Sequence, residues 1–236
     1  MKLRIGRDLQ AAGKQIAAEI RAQLTRQRVL AINLIGSPGC GKTAILEATL
    51  PKLTKAFNVT VVVGDIATAR DSDRIEAVGV PCLLINTGGA CHVPPTLIAK
   101  AYEGLDTSDL DLIVIENVGN LVCPSTQDLG EHAKVAVLSL PEGDDKVLKY
   151  PRLFREAGCV VLNKIDLAHV LAFDRGRVLG DLEQIKHGLP VFEVSALTGE
   201  GLDAWIEWVR NLYEETFGAL PDRRTSRSAQ GTGRAR

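Results

Sequence analysis

The stretch AINLIGSPGCGKTAILEATL, residues 31–50, joins an apolar run to a glycine-rich turn and then to a run of good helix formers. Its centre, Gly36 to Thr43, fits the pattern G-x-x-x-x-G-K-[ST]. Glycines let backbone N–H groups converge on phosphate oxygens, the lysine sets a point charge beside the β- and γ-phosphates, and the threonine hydroxyl reaches Mg²⁺. The N-terminus of the helix that follows favours the same anion. A glycine turn with an incidental lysine matches the short pattern by chance; strand, loop and helix in that order make it specific. Gly36, Ser37, Gly39, Cys40, Gly41, Lys42 and Thr43 are therefore the expected phosphate-binding residues. Cys40 has two readings. Beside N–H groups and Lys42 its pKa would fall and the thiol would be redox-sensitive; as a small residue in a tight loop it would be inert, which is the simpler reading.

Outward from this stretch, short apolar runs recur: VLAINLIG, VTVVVGD, CLLIN, LDLIVIE, KVAVLSL, CVVLNK and PVFEVSA. Runs apolar throughout, and not alternating, suit strands buried on both faces. Helical patterns at 42–56, 95–104, 147–157, 174–187 and 200–217 separate several of them. The expected fold is α/β, a mostly parallel sheet with helices on both faces, the P-loop NTPase fold. Ligands then bind beyond the carboxyl ends of the strands. Leu9, Ile16, Ile20 and Leu24 give residues 1–28 a helical period, expected as an N-terminal helix packed on a domain at 29–218. Residues 219–236, basic and with little to bury, are expected to be a disordered tail.

The 236 residues are 45% hydrophobic and 24% charged, ordinary for a globular protein, with a net charge of −1. No global field draws such a chain to nucleic acid or to a membrane surface. No apolar run approaches the ~20 residues of a membrane span, and the first ten residues do not read as a secretory signal. Five scattered cysteines argue against a disulfide framework. These features predict a cytoplasmic protein with neither nucleic-acid nor membrane partners.

The nucleobase is legible in NKID, Asn163 to Asp166. An ionised carboxylate only accepts hydrogen bonds. Guanine offers two adjacent donors to Asp166, whereas adenine has none at the equivalent ring nitrogen. Lys164 lays its stem along the base, and the backbone of Ser195, Ala196 and Leu197 reaches the guanine oxygen. GTP or GDP is the expected ligand. Between these motifs VIENVG ends a strand with Glu116 and places Gly119 three residues on. An acid-x-x-Gly segment holds Mg²⁺ and senses the γ-phosphate through a backbone N–H. Asp65 ends another strand and is a second candidate for the metal; Asp71 and Asp73 follow as weaker ones, since acids at a helix start are common. Lys42, Thr43, Asp65, Glu116 and Gly119 make up the expected catalytic set, with Thr43, Asp65 and Glu116 the Mg²⁺ ligands.

TGGACHVPP, residues 87–95, sets Cys91 against His92 in a loop after the strand CLLIN. Cys123 lies four residues beyond Gly119. All three belong at the same edge of the sheet, and two sulfurs with one imidazole suit Zn²⁺ or Ni²⁺ better than a hard ion. The alternatives are a reactive thiol or no function. Neighbours in an extended chain point to opposite sides, so Cys91 and His92 are not expected to chelate one metal simply. A site shared by two copies of the chain removes that objection. His132 reads as structural, and Cys82 and Cys159 as small buried hydrophobes.

GSPGCGKT, INTGGACH, ENVGNLVCP, EGDDKVLKYP, NKIDL and FEVSALTGEGLDAW together resemble the HypB family, GTPases that assist nickel insertion into [NiFe]-hydrogenases. The likeness runs from about residue 8 to about 215. It implies a P-loop fold that dimerises on binding GTP or metal, Mg²⁺-dependent GTP hydrolysis, and a nickel or zinc site of Cys91, His92 and Cys123 at the dimer interface. Turnover is expected to be slow, since no arginine finger or switch glutamine is evident. It also implies a HypA-like nickel protein and the hydrogenase large-subunit precursor as partners. The chain departs from the family at Val93, Pro94 and Pro95, where Leu-Asp-Ala is usual, and at Ala69, where many members are acidic. Its first 30 residues lack Cys and His. UreG, the related urease GTPase, carries Cys-Pro-His, unlike the adjacent pair here. A regulatory GTPase with structural cysteines is the remaining alternative; a nucleoside kinase is disfavoured by Asp166.

Overall fold

A computed structural model of the chain describes residues 5–66 and 69–220, with side chains from residue 11. The Leu9 side chain and the tail beyond residue 220 lie outside what is described, so the expected disordered tail is not addressed. Among the described residues, seven strands form one parallel sheet: β1 (Leu30–Gly36), β2 (Val59–Asp65), β3 (Cys82–Asn86), β4 (Leu112–Glu116), β5 (Ala133–Ser139), β6 (Ala157–Asn163) and β7 (Val191–Glu193). Their order is β3-β2-β4-β1-β5-β6-β7. All seven apolar runs of the sequence are strands. β1 and β4 are buried throughout, as their unbroken hydrophobicity requires.

Helices cover both faces. On one lie α2 (Lys42–Leu53), α3 (Arg70–Ala77) and α8 (Leu202–Phe217), packed through Ile45, Leu46, Ile75, Trp205 and Val209 against Leu30, Ile32 and Leu34 of β1. On the other, α1 (Ile5–Gln27) and α4 (Pro95–Glu103) bring Ile20, Leu24, Ile98 and Tyr102 onto Ala31, Val62 and Ile113. Beside them α5 (Lys146–Lys149), α6 (Pro151–Glu156) and α7 (Arg175–Ile185) cover the β5–β6 half through Val147, Phe154 and Leu182.

One local expectation changes, and two are made definite. The helix expected over 147–157 is two short ones: Pro151 opens α6, and Tyr150 before it leaves helical geometry, with φ −127° and ψ 51°. Ala157 is already in β6. Asp71 and Asp73 sit in the first turn of a full helix, α3. Pro94 and Pro95 form a helix start, with Pro94 extended at the cap and Pro95 in the first turn of α4, where a missing N–H costs nothing.

His132, just before β5, pins α1 to the sheet. Its Nδ1 accepts the Ala31 N–H at 3.0 Å, its Nε2 meets Thr25 Oγ1 at 3.1 Å, and its ring stands edge-on to Phe217. Burial, and then the Arg21 charge, push its pKa from 6.5 down to about 4. A depressed folded-state pKa means that protonation favours unfolding. The stabilisation is complete above the ordinary value and is lost as pH falls toward 4, by about 1–3 kcal/mol after allowing for partial exposure. Urea denaturation at pH 7.5 and pH 5 should show this loss in the wild-type chain and a flatter dependence in His132→Gln.

Candidate nucleotide and metal site

The carboxyl ends of β1, β2, β4 and β6 meet at one edge, and the loops that leave them build the site. Gly36 and Gly41, at the two ends of the loop after β1, leave no room for a side chain. A Cβ on Gly36 would stand 2.6 Å from the Val137 carbonyl, and Gly41, at φ +97°, is backed by the Asn163 amide. Lys42 curls over the loop and donates to the carbonyls of Gly36 and Ser37 at 3.2 and 3.3 Å. Thr43 Oγ1 donates to Glu116 Oε1 at 2.7 Å. Glu116 is 3% exposed, and its Oε2 is buried with no protein partner. Burial raises its pKa to about 7 against the opposing pull of Lys42 and the Thr43 hydroxyl. Asp65 lies at the end of β2, and its Oδ1 takes the Ile66 N–H at 2.5 Å. Lys42, Thr43, Asp65, Asp71, Arg74, Glu116 and Gly119 border a common cavity of about 560 Å³.

Gly119 faces Pro38 so closely that a Cβ would lie 3.0 Å from the Pro38 nitrogen. The segment after β4 is thereby laid directly on the phosphate loop. Asp73 is exposed, while Asp71 reaches the cavity and contacts Arg74 at 3.3 Å. Arg74 also takes Glu47 in a two-pronged pair at 2.5 and 2.9 Å. No motif singles out Arg74 in the sequence; only the folding of α3 against α2 brings it here.

A second cavity, about 650 Å³, adjoins the first and is bordered by Gly41, Ala44, Asn163, Lys164, Asp166, Ala196 and Leu197. Asn163 ties the two, donating to the Cys40 carbonyl at 3.0 Å and accepting the Ala196 N–H at 3.1 Å. Lys164, in left-handed backbone at φ +63°, donates to the Gly39 carbonyl at 2.7 Å. Ser195 Oγ donates to Asp166 Oδ1 at 2.6 Å and accepts the Thr198 N–H. Leu197 is 85% exposed at the mouth.

Cys40 is fully buried, and burial raises its thiol to about 11, outweighing the lowering effect of Lys42. The low-pKa reading of this cysteine is corrected: desolvation is the larger effect here.

The loops after β3 and β4 bring Cys91, His92 and Cys123 together, with one donor atom from each lying within 4.8 Å of the others. Cys91 Sγ is 3.7 Å from His92 Nδ1. The expectation that adjacent residues diverge assumed extended backbone. The chain bends at both residues, so the side chains share a side and one chain supplies all three donors. Two thiolates and an imidazole at tetrahedral Zn²⁺ would stand roughly 3.5–3.8 Å apart, which the 3.7 Å between Cys91 and His92 matches. Burial lowers the His92 pKa, which favours the neutral ring a metal needs. A hydrogen bond with the Cys91 side chain, and then burial, raise the Cys123 pKa.

Residues 30–193 match the family described as CobW/HypB/UreG, nucleotide-binding domain. The hydrogenase maturation factor HypB of Escherichia coli strain K12 is 41% identical over 202 residues, 86% of this chain and 70% of that protein. The crystal structure of HypB from Helicobacter pylori in complex with nickel superposes with a TM-score of 0.83 at 35% identity, covering 89% of this chain and 99% of that one. The chain belongs to the HypB family. Hydrogenase maturation factor HypB from Archaeoglobus fulgidus, TM-score 0.80 at 34% identity over 86% of this chain and 99% of its own, shares the fold as well. In this family setting the P-loop GTPase architecture of the phosphate cavity is accounted for. No helix among the described residues is long and apolar enough to cross a membrane.

The five thiols should react in order of access. Cys40 and Cys159 are buried, and Cys82, half-buried, is raised by burial to about 12. Brief alkylation of the native protein at pH 8, read by mass spectrometry, should label Cys91 and Cys123 first and leave Cys40 and Cys159 unmodified until the chain is denatured.

Proposed function

We propose that this chain hydrolyses GTP to couple nucleotide state to the handling of nickel during [NiFe]-hydrogenase maturation. The observation that carries this reading is the Cys91, His92 and Cys123 donor set, held on the loops that leave β3 and β4, the two strands that flank β2 and its Asp65. HypB relatives, one of them solved with nickel, support it.

The phosphate cavity fits a hard divalent cation. A buried carboxylate oxygen of Glu116 without a protein partner, a hydroxyl on Thr43 and the nearby Asp65 form an all-oxygen set. Thr43, Asp65 and Glu116 would hold Mg²⁺, which draws negative charge off the phosphates as the bond to the γ-phosphorus breaks. Lys42 exchanges its loop carbonyls for phosphate oxygens, and the backbone N–H groups of Gly36 to Thr43 wrap the rest. Gly119 offers its N–H to the γ-phosphate. Water then displaces GDP from the γ-phosphorus and leaves inorganic phosphate. Asn163, Lys164 and Asp166, with the backbone from Ser195 to Leu197, read guanine. Turnover is slow, because Arg74 is engaged by Glu47 and Asp71 and no glutamine stands at the switch.

Nickel, or zinc in its place, is the cargo of the three soft donors, which leave a tetrahedral ion one open position for transfer. Two copies of the chain pair on binding GTP or metal. A HypA-like nickel protein supplies the ion, and the hydrogenase large-subunit precursor receives it. The protein acts in the cytoplasm.

Two substitutions separate the sites. Asp166→Asn exchanges a double acceptor for a group that also donates. It should weaken GTP binding by about 3 kcal/mol, roughly a hundredfold, and turn preference toward xanthosine triphosphate, which carries a carbonyl where guanine has its amino group. Cys123→Ala should weaken Ni²⁺ and Zn²⁺ binding by roughly a hundredfold or more while calorimetry finds GDP affinity unchanged. A parallel loss of GDP affinity would refute this division of roles.

A further inference from the structure

Three buried polar side chains are given no role in the chemistry above, although Asn117 borders the phosphate cavity. Asn33 interrupts the apolar face of β1 and is 0% exposed; Asn117 follows Glu116 and is 1% exposed; Glu131 precedes β5 and is 5% exposed. Hydrogen bonds run through them in one direction. Asn117 Nδ2 donates to Asn33 Oδ1 at 3.2 Å, and Asn33 Nδ2 donates to Glu131 Oε1 at 3.2 Å. Glu131 Oε2 then takes the Leu129 N–H at 2.6 Å. At the other end, Asn117 Oδ1 accepts two backbone N–H groups, from Val118 at 3.0 Å and Val93 at 3.2 Å. Those two donors dictate which way the Asn117 amide faces, and its NH₂ is thereby committed to Asn33.

The placement of this string matters more than its length. Asn117 and Glu131 are the two roots of the segment that carries Gly119 and Cys123, and Asn33 bridges them from beneath. Val93 is the residue after His92, so its N–H ties the other metal-bearing loop to the same amide. Val93 is also wedged against the residue before Asp65: a Cβ on Gly64 would collide with its Cγ2. A polar string in a core is costly unless every member is satisfied, and an apolar trio would fill the same space without that risk.

We propose that Asn117 is a positioning residue that clamps the Cys91–His92 loop to the nucleotide-sensing segment, so that the two loops move as one and metal affinity follows nucleotide state. This rests on the metal role proposed above for Cys91, His92 and Cys123. The reason is geometric. A shift of backbone between Glu116 and Gly119 carries Asn117 with it, and its Oδ1 cannot leave Val93 without stranding a buried N–H. Metal–donor distances tolerate only about 0.2 Å, so a small displacement of either loop is felt at the ion.

The test is Ni²⁺ titration of the full chain, wild type and Asn117→Ala, in the GDP state and with a non-hydrolysable GTP analogue. Guanine-nucleotide affinity, measured alongside, reports that the variant is folded. The wild type should show different Ni²⁺ affinities in the two states. The variant should bind GDP within about twofold of wild type, lose roughly tenfold in Ni²⁺ affinity as outer-shell changes do, and show the same Ni²⁺ affinity in both states. A variant that keeps the wild-type ratio overturns the clamp while leaving the metal reading intact. Failure of the wild-type chain to bind Ni²⁺ in either state overturns the metal reading, and the clamp with it. Should Asn117→Ala not fold, amide exchange in the wild type decides: the Val93 and Val118 N–H groups should change protection together between nucleotide states, and a Val93 amide indifferent to nucleotide while Val118 responds rejects the proposal.

Discussion

The 2.7 Å hydrogen bond from Thr43 to the buried Glu116 carboxylate joins the two neighbouring strands on which the rest of this molecule is organised. Thr43 opens the helix after the phosphate loop, and Glu116 ends the strand beside β1. A carboxylate at this depth is expensive, and its pKa near 7 records the expense. Only a parallel sheet makes the position available. Strand ends gather at one edge, and the neighbouring chain that would otherwise fill the space turns away as a helix. The remaining oxygen of Glu116, unpartnered in the protein, is the feature that a bound cation would relieve.

That edge also explains why a nucleotide site and a set of soft donors can stand so near each other without sharing ligands. β2 and β4 are direct neighbours, and β3 pairs with β2 on its far side. The loops after β3 and β4 therefore rise side by side, and Cys91, His92 and Cys123 meet above β2 and Asp65. Hard oxygen donors stay at the strand ends, in the polar phosphate cavity. Sulfur and imidazole donors sit one loop further out, half-buried. Chemical softness is thus sorted by distance from the sheet, so that a hard and a soft ion would not compete for one set of donors.

Much of this was legible in the residues because it rests on local pattern. Seven short apolar runs read as strands, the central β1 and β4 buried throughout and the edge strands β3 and β7 only partly so, and G-x-x-x-x-G-K-T between strand and helix has one common physical reason. Other features were hidden because they depend on contacts distant in sequence. The bend at Cys91–His92 reverses the alternation that an extended chain would impose. Desolvation of Cys40 exceeds the local pull of Lys42, and burial is a property of the whole packed domain. Arg74 reaches the phosphate cavity only after α3 packs on α2. One signal was present and unread: Asn33 is the lone polar residue in AINLI, and a buried amide in such a run demands partners.

Those partners change the meaning of the departures near Pro94. A two-proline start fixes where α4 begins and removes backbone donors from its first turn. Val93 is the last residue before that start, and its N–H is the one that Asn117 receives. The loop from Thr87 to Val93 is therefore short and held at both ends. Thr87 N–H bonds the Asp65 carbonyl at 2.9 Å at one end, and Val93 bonds the Asn117 side chain at the other. Freedom within it is left to the glycines at 88 and 89, both at positive φ. A loop anchored at one root to the end of β2 and at the other to the segment after β4 has no independent position of its own. On the clamp proposed above, stiffening by proline would sharpen the dependence of Cys91 and His92 on those two anchors, because a stiff helix start absorbs little of any motion that reaches it.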